Sequence, residues 1–120
     1  MKAVRIHKHG GTDVLVWEEI SDPVIKPDQA LVQIKAAAIN HLDIWVRRGI
    51  PGISLPMILG SDASGIIKKI GQDISDFTIG EEVVINPLIF CGECEACNNS
   101  CENECFSMGI IGESIDGTNC

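Results

Sequence analysis

The run Ala30-Leu31-Val32-Gln33-Ile34-Lys35-Ala36 alternates along its length, and the run that follows it, Asn40-His41-Leu42-Asp43-Ile44-Trp45-Val46-Arg47-Arg48-Gly49, does not. The first puts Val32 and Ile34 on one face and Gln33 and Lys35 on the other, the period-two pattern of a half-buried strand. In the second the period changes to that of a short helix. Asn40 has the chemistry of an N-cap, Asp43 stands at the third helical position, and Arg47 and Arg48 occupy the last turn, where a basic charge suits the macrodipole. Gly49-Ile50-Pro51-Gly52 stops it.

Outward from this pair the chain reads as strand after strand. Lys2 to Ile6 and Val14 to Glu18 alternate, and Gly10-Gly11-Thr12-Asp13 between them has the turn chemistry of a hairpin. Pro23 and Pro27 each remove an N–H donor and keep 21–28 as loop. Ile66 to Ile70, closed by Gly71, and Glu82 to Ile85, led in by Phe77-Thr78-Ile79-Gly80, supply two further strands. Nineteen Ile and eight Val against three Phe and no Tyr make a β-branched core, which packs best on pleated strands. The expected fold class is therefore mainly β, a partly open barrel of short strands with a few short helices. At 120 residues the chain is one small domain. Its tail, Gly112 to Cys120, is polar and has no closing strand, so the unit is expected to be truncated at its C-terminal end.

The formal charge of −8 is unevenly spread: all nine basic residues lie in 1–69 and ten of the seventeen acids in 70–120. Such a chain is a poor partner for nucleic acid. No window approaches the ~18 uninterrupted apolar residues of a membrane span, and the opening Met1-Lys2-Ala3-Val4-Arg5 lacks the apolar core of a signal peptide. The expectation is a cytoplasmic protein with no membrane partner.

Five of the six cysteines fall between Cys91 and Cys105, too locally to staple a whole fold and in the manner of a metal site. Cys91, Cys94, Cys97 and Cys105 are spaced x2, x2, x7, so three thiolates come from one tight loop and the fourth returns after a short excursion. Four sulfurs surround one tetrahedral Zn²⁺ and leave no open place for water, which makes the expected lobe, 91–105, structural. Cys101 offers an alternative. Cys91, Cys94, Cys97 and Cys101 match the spacing of an iron–sulfur ferredoxin, although Glu102 follows where that pattern has Pro and no second cysteine set exists.

Taken together, these residues resemble the medium-chain dehydrogenase/reductase superfamily, the zinc-type alcohol dehydrogenases and quinone oxidoreductases. The resemblance covers the whole chain and reaches the family's N-terminal GroES-like β-barrel. It is carried by Lys2-Ala3-Val4-Arg5-Ile6 with Gly10-Gly11, by Ala36-Ala37-Ala38-Ile39-Asn40-His41-Leu42-Asp43, by Gly60-Ser61-Asp62-Ala63-Ser64-Gly65, by Gly80-Glu81-Glu82-Val83-Val84, and by the cysteine lobe. Zinc alcohol dehydrogenases have a ligating Cys at the Asn40 position, a ligating His at the Ser61 position and a Glu at the Asp62 position. Here both ligands are replaced by poor ones, and Leu42 stands where a hydroxyl relays the alcohol proton. The resemblance thus implies a member that keeps the structural zinc and lacks the catalytic one. Asn at the Asn40 position and an aromatic five residues on, here Trp45, are similar to quinone-reductase-like members.

Several residues admit two readings. Asn40 either orients a substrate carbonyl or nicotinamide through its amide or simply caps the helix; Trp45 is a core or lid residue, or a substrate contact. Asp62 is read as a buried polar anchor in a Gly-rich turn at the substrate pocket, and Asp43 as a structural residue at the helix start. His41 approaches a cofactor phosphate in some relatives and is otherwise an exposed histidine; Arg47 and Arg48 read as a solvated helix end. No Gly-x-Gly-x-x-Gly opens a helix after a strand, so the nucleotide-binding domain is absent from these residues. The expected function is the substrate-side domain of an NAD(P)H-dependent oxidoreductase acting on a small carbonyl, quinone or enone, possible as a homo-oligomer and inactive as an isolated chain. The alternatives are a stand-alone zinc-stabilised β-barrel binding module and an iron–sulfur electron carrier.

Overall fold

The computed structural model describes residues 1–120. Strand β1 (Lys2–Ile6) and strand β2 (Leu15–Glu19) form the expected hairpin, antiparallel, with Val4 opposite Trp17 and Ile6 opposite Leu15. Strand β3 (Ala30–Ala38) leads into helix α1 (His41–Arg48), and β4 (Met57–Ile58) then returns to pair with the end of β1. Strand β5 (Asp62–Ile70) runs antiparallel to β3 along its whole length and pairs on its other edge with β6 (Glu82–Val84). Two three-stranded sheets result, in the orders β2-β1-β4 and β3-β5-β6, followed by a small ladder of β7 (Leu88–Ile89) with β8 (Gly109–Ile110) that brackets the cysteine lobe. Within that lobe lies α2 (Glu95–Asn98). This is the partly open, mainly β architecture the strand pattern predicts.

Buried Ile6, Val14, Val46, Met57 and Leu59 make the principal core, with Leu42, Ile50, Ile53 and Leu55 packed against it. It sits where α1 lies against the β2-β1-β4 sheet. Val14 belongs to it because the turn after Gly11 tightens into a 3-10 segment, Thr12–Val14, that tucks this side chain inward and delays β2 to Leu15. Arg47, read from sequence as part of a solvated helix end, instead donates to the Gly10 carbonyl at 2.6 Å and clamps the hairpin turn to α1. His9 adds a second clamp, its Nδ1 lying 3.0 Å from the Val46 carbonyl.

β5 begins four residues earlier than its apolar run, at Asp62, so Asp62 is a half-buried strand residue, neither a buried anchor nor part of a Gly-rich turn. Ala36, Ala37 and Ala38 recruit the segment by pairing with Ser64, Ala63 and Asp62, past an irregularity in the register between Ile34 and Ala36. Pairing partners far along the chain override the turn chemistry that Gly60-Ser61 suggests. The tail contains no strand, yet it is tied down: Gly117, Thr118 and Asn119 amides donate to the Ile58, Gly60 and Leu59 carbonyls, and Val4 donates to Asn119. Gly60, at φ 101°, lies beneath that tail, and a side chain there would run into Thr118 and Asn119.

Candidate functional site

Two constellations carry chemistry. In the lobe, the sulfurs of Cys91, Cys94, Cys97 and Cys105 all lie within 4.8 Å of one another. Cys94 and Cys97 are 3.5 Å apart, Cys91 and Cys105 3.6 Å, and Cys91 and Cys97 3.9 Å. Tetrahedral zinc with Zn–S bonds of about 2.3 Å places its sulfurs about 3.8 Å apart, so this donor set fits that ion. Backbone geometry already favours thiolates. The Cys94 N–H points to the Cys91 sulfur at 3.4 Å and the Cys91 N–H to the Cys105 sulfur at 3.5 Å. N–H groups of Glu93 and Cys94 bring the Cys91 thiol down from its ordinary value to about 6, and the Cys97 N–H lowers Cys94. Desolvation, then the Cys94 sulfur, pushes Cys97 up to about 12. One more thiolate among these sulfurs needs a cation beside it. Cys101 stands outside the four, its sulfur directed at the Asn99 carbonyl at 3.6 Å.

The second constellation joins the start of α1 to the start of β5. Asn40 caps α1 as its sequence position predicts: its Oδ1 accepts the Leu42 N–H at 3.2 Å, and Asp43 Oδ2 accepts the Asn40 N–H at 2.7 Å. The remaining Asp43 oxygen accepts the Gly60 N–H at 3.0 Å. Asp43 is only 5% exposed, so one buried carboxylate binds the helix to the strand entrance. Sequence reasoning gave it the helix start and missed Gly60, because a main-chain donor leaves no side-chain signature. Across the junction Asn40 Nδ2 donates to Asp62 Oδ2 at 3.0 Å, which supplies the partner that the sequence left unnamed for Asp62. Ser61 between them is buried, 2% exposed.

His41 and Trp45 lie one helical turn apart at the same end. Their rings meet edge to face with centroids 4.8 Å apart. Trp45 is 53% exposed, so it is not a core residue. Asn40 and Asp62, joined by one hydrogen bond, and the His41–Trp45 ring pair of α1 make up the rim of this junction, while the metal-type cluster is a different set of residues. A different feature, a cleft of about 620 Å³, opens between the two sheets and is bounded by α1 and the tail. It is lined by Leu15, Trp17, Ile34 and Leu59 among others, and the buried Thr118 hydroxyl beside it has no hydrogen-bond partner. None of Asn40, His41, Trp45 and Asp62 lines that cleft. No helix of the chain is long and apolar enough to cross a membrane.

With this geometry, comparison with known proteins is specific. The family model described as the alcohol dehydrogenase GroES-like domain matches residues 26–119. L-galactonate-5-dehydrogenase of Escherichia coli (strain K12) is 34% identical over 104 residues, 86% of this chain and 31% of that protein. The 2-haloacrylate reductase of a Burkholderia species is 36% identical over 85 residues, 68% of this chain and 26% of that one. The crystal structure of an NAD-dependent alcohol dehydrogenase superposes with a TM-score of 0.94 at 42% identity, covering 98% of this chain and 35% of that one. The chain spans about a third of the length of the relatives it matches. On residues 26–119, and on a fold shared at this level, the chain belongs to the GroES-like domain family of the zinc-type alcohol dehydrogenases, in the medium-chain dehydrogenase/reductase superfamily.

Proposed function

We propose that this chain is the substrate-side domain of an NAD(P)H-dependent oxidoreductase that reduces a small carbonyl, quinone or activated alkene without a catalytic zinc, and that holds one structural zinc on Cys91, Cys94, Cys97 and Cys105. The observation that carries the reading is the state of Asn40. Its amide is engaged by Leu42 and Asp62, so the rim has the build of a hydrogen-bonding site. Neutral amide and buried hydroxyl are weak donors to Zn²⁺, and both oxygens of Asp43 are spent on backbone amides. The relatives' names include both a dehydrogenase and a reductase, and both chemistries move a hydride.

The nicotinamide, when bound, supplies that hydride. These residues offer no dinucleotide cradle, since α1 is entered through Ile39-Asn40 and not through a Gly-rich turn. Further polypeptide would hold the nucleotide, with His41 reaching toward it from the rim. The free Nδ2 proton of Asn40 donates to the substrate oxygen and stabilises the negative charge that grows there as hydride arrives. Trp45 walls one side and restricts the substrate's approach. Leu42 relays nothing, so the proton that completes reduction comes from water at the open rim. Fusing a nucleotide-binding domain of a family member to this chain should produce NAD(P)H oxidation with quinone, ketone or enone, and Asn40→Ala should remove most of it. Turnover unaffected by Asn40→Ala would end the assignment. A fusion that folds and binds nucleotide, yet reduces nothing, would favour the stand-alone zinc-stabilised binding module.

A further inference from the structure

We propose that the preferred substrate of this rim is a carbonyl compound bearing a hydroxyl on the adjacent carbon, gripped by Asn40 and Asp62 together; the proposal rests on the reading above and selects among its substrate classes. The polarity of the Asn40 amide is fixed. Oδ1 accepts the Leu42 N–H and Nδ2 donates to Asp62 Oδ2, and turning the amide over would set oxygen against carboxylate and N–H against N–H. The donor left to a ligand is the second Nδ2 proton. Asp62 uses Oδ2 on Asn40 and makes no other hydrogen bond, so its Oδ1 is a free acceptor beside that donor.

The pair is exposed, but the backbone on both sides of it is fixed. Asp43 ties the Asn40 and Gly60 amides to one buried carboxylate, and Asp62 lies two residues beyond Gly60. Asp43 is thus a positioning residue for both contacts. A quinone or simple enone presents only acceptors. It satisfies Asn40 and takes water from Asp62 Oδ1 without returning a hydrogen bond. An adjacent hydroxyl returns one, and a site built around such a group discriminates against the analogue that lacks it.

The test uses the zinc-loaded chain and two probes of equal heavy-atom count, hydroxyacetone and butan-2-one, with the Asn40 side-chain amide followed by NMR. Hydroxyacetone should shift that signal at a concentration about tenfold lower than butan-2-one, the scale of one hydrogen bond to a charged group. Asp62→Ala removes the free acceptor and puts no donor in its place, so the two midpoints should then coincide. Equal midpoints in the unaltered chain, a preference that survives Asp62→Ala, or an Asn40 signal that neither probe moves would each overturn the proposal. Hydroxyacetone preference in a fusion that oxidises no NAD(P)H would keep this inference and remove the functional reading beneath it. Reduction that favours butan-2-one or a quinone would do the reverse.

Discussion

The cysteine lobe and the α1–β5 junction are ordered by opposite means. In the lobe, α2 is a four-residue helix without buried residues, and of the four converging cysteines only Cys105 is buried. Little apolar surface holds its loops, and its geometry depends on what sits among the sulfurs. The junction is held from inside, by a carboxylate 5% exposed with each oxygen on a backbone amide. It needs no ion. A site of the first kind is conditional on metal and proton concentrations, whereas one of the second kind is a permanent part of the fold.

The largest expected effect separates the two directly. Structural zinc in small domains contributes apparent binding energies of about 10 kcal/mol or more, and that energy is folding energy. Chelation or Cys105→Ser should therefore remove the one zinc proposed for the lobe and abolish amide exchange protection in 91–105, while protection at Asp43 and Gly60 persists. Cys101→Ser should leave the metal in place. Elemental analysis with hydrogen exchange reads both outcomes, and loss of metal from Cys101→Ser alone would move the site to the ferredoxin-like set.

Protons sharpen the same contrast. The lowered Cys91 value means that its thiolate, hydrogen-bonded by Glu93 and Cys94, adds stability to the metal-free lobe above its ordinary titration range, and that this is lost as pH falls through about 6. Cys97, at about 12, still carries its proton at neutral pH and must lose it to the metal. Zinc binding near pH 7 should release protons, with Cys97 a main source, and the release should grow as pH is lowered and Cys91 becomes protonated too. Calorimetry in buffers of different ionisation enthalpy measures the number. The junction should show no metal-linked proton change at all.

Legibility follows the same division. α1 is readable because the Asn40 cap, its Asp43 partner and the Gly49 stop are local to one helix, and the lobe because its donors lie within fifteen residues of each other. The hairpin was readable from alternation and one turn. What escaped was non-local and carried by backbone: the Gly60 N–H on Asp43, the tail amides on β4 and Gly60, and the pairing that draws Asp62 into β5. A carbonyl or N–H is identical in every residue, so no composition marks where it will be met. The Asn40–Asp62 bond spans 22 residues, and only the antiparallel register of β3 with β5 brings the two together.

Within the junction, Asp43→Ala should cost more than Asn40→Ala. The first strands the buried Gly60 amide and the partly buried Asn40 amide, each losing a hydrogen bond to a charged group, so a loss of about 2–4 kcal/mol in denaturant unfolding is expected. Zinc content should remain at one.

Asn40→Ala is the smaller change and the more telling one. It removes an N-cap acceptor from Leu42, typically about 1 kcal/mol, and the exposed contact to Asp62 adds little because water replaces it. Asp43 still accepts the residue-40 N–H, which is backbone and survives the substitution. The helix should then keep its start, and Gly60 should keep its partner. A stability loss near 1 kcal/mol with unchanged exchange at Gly60 would show that Asn40 is dispensable to the fold and free to serve a ligand. A loss as large as that of Asp43→Ala would mean instead that the cap and the buried carboxylate act as one unit, so that the rim amide is part of the scaffold first.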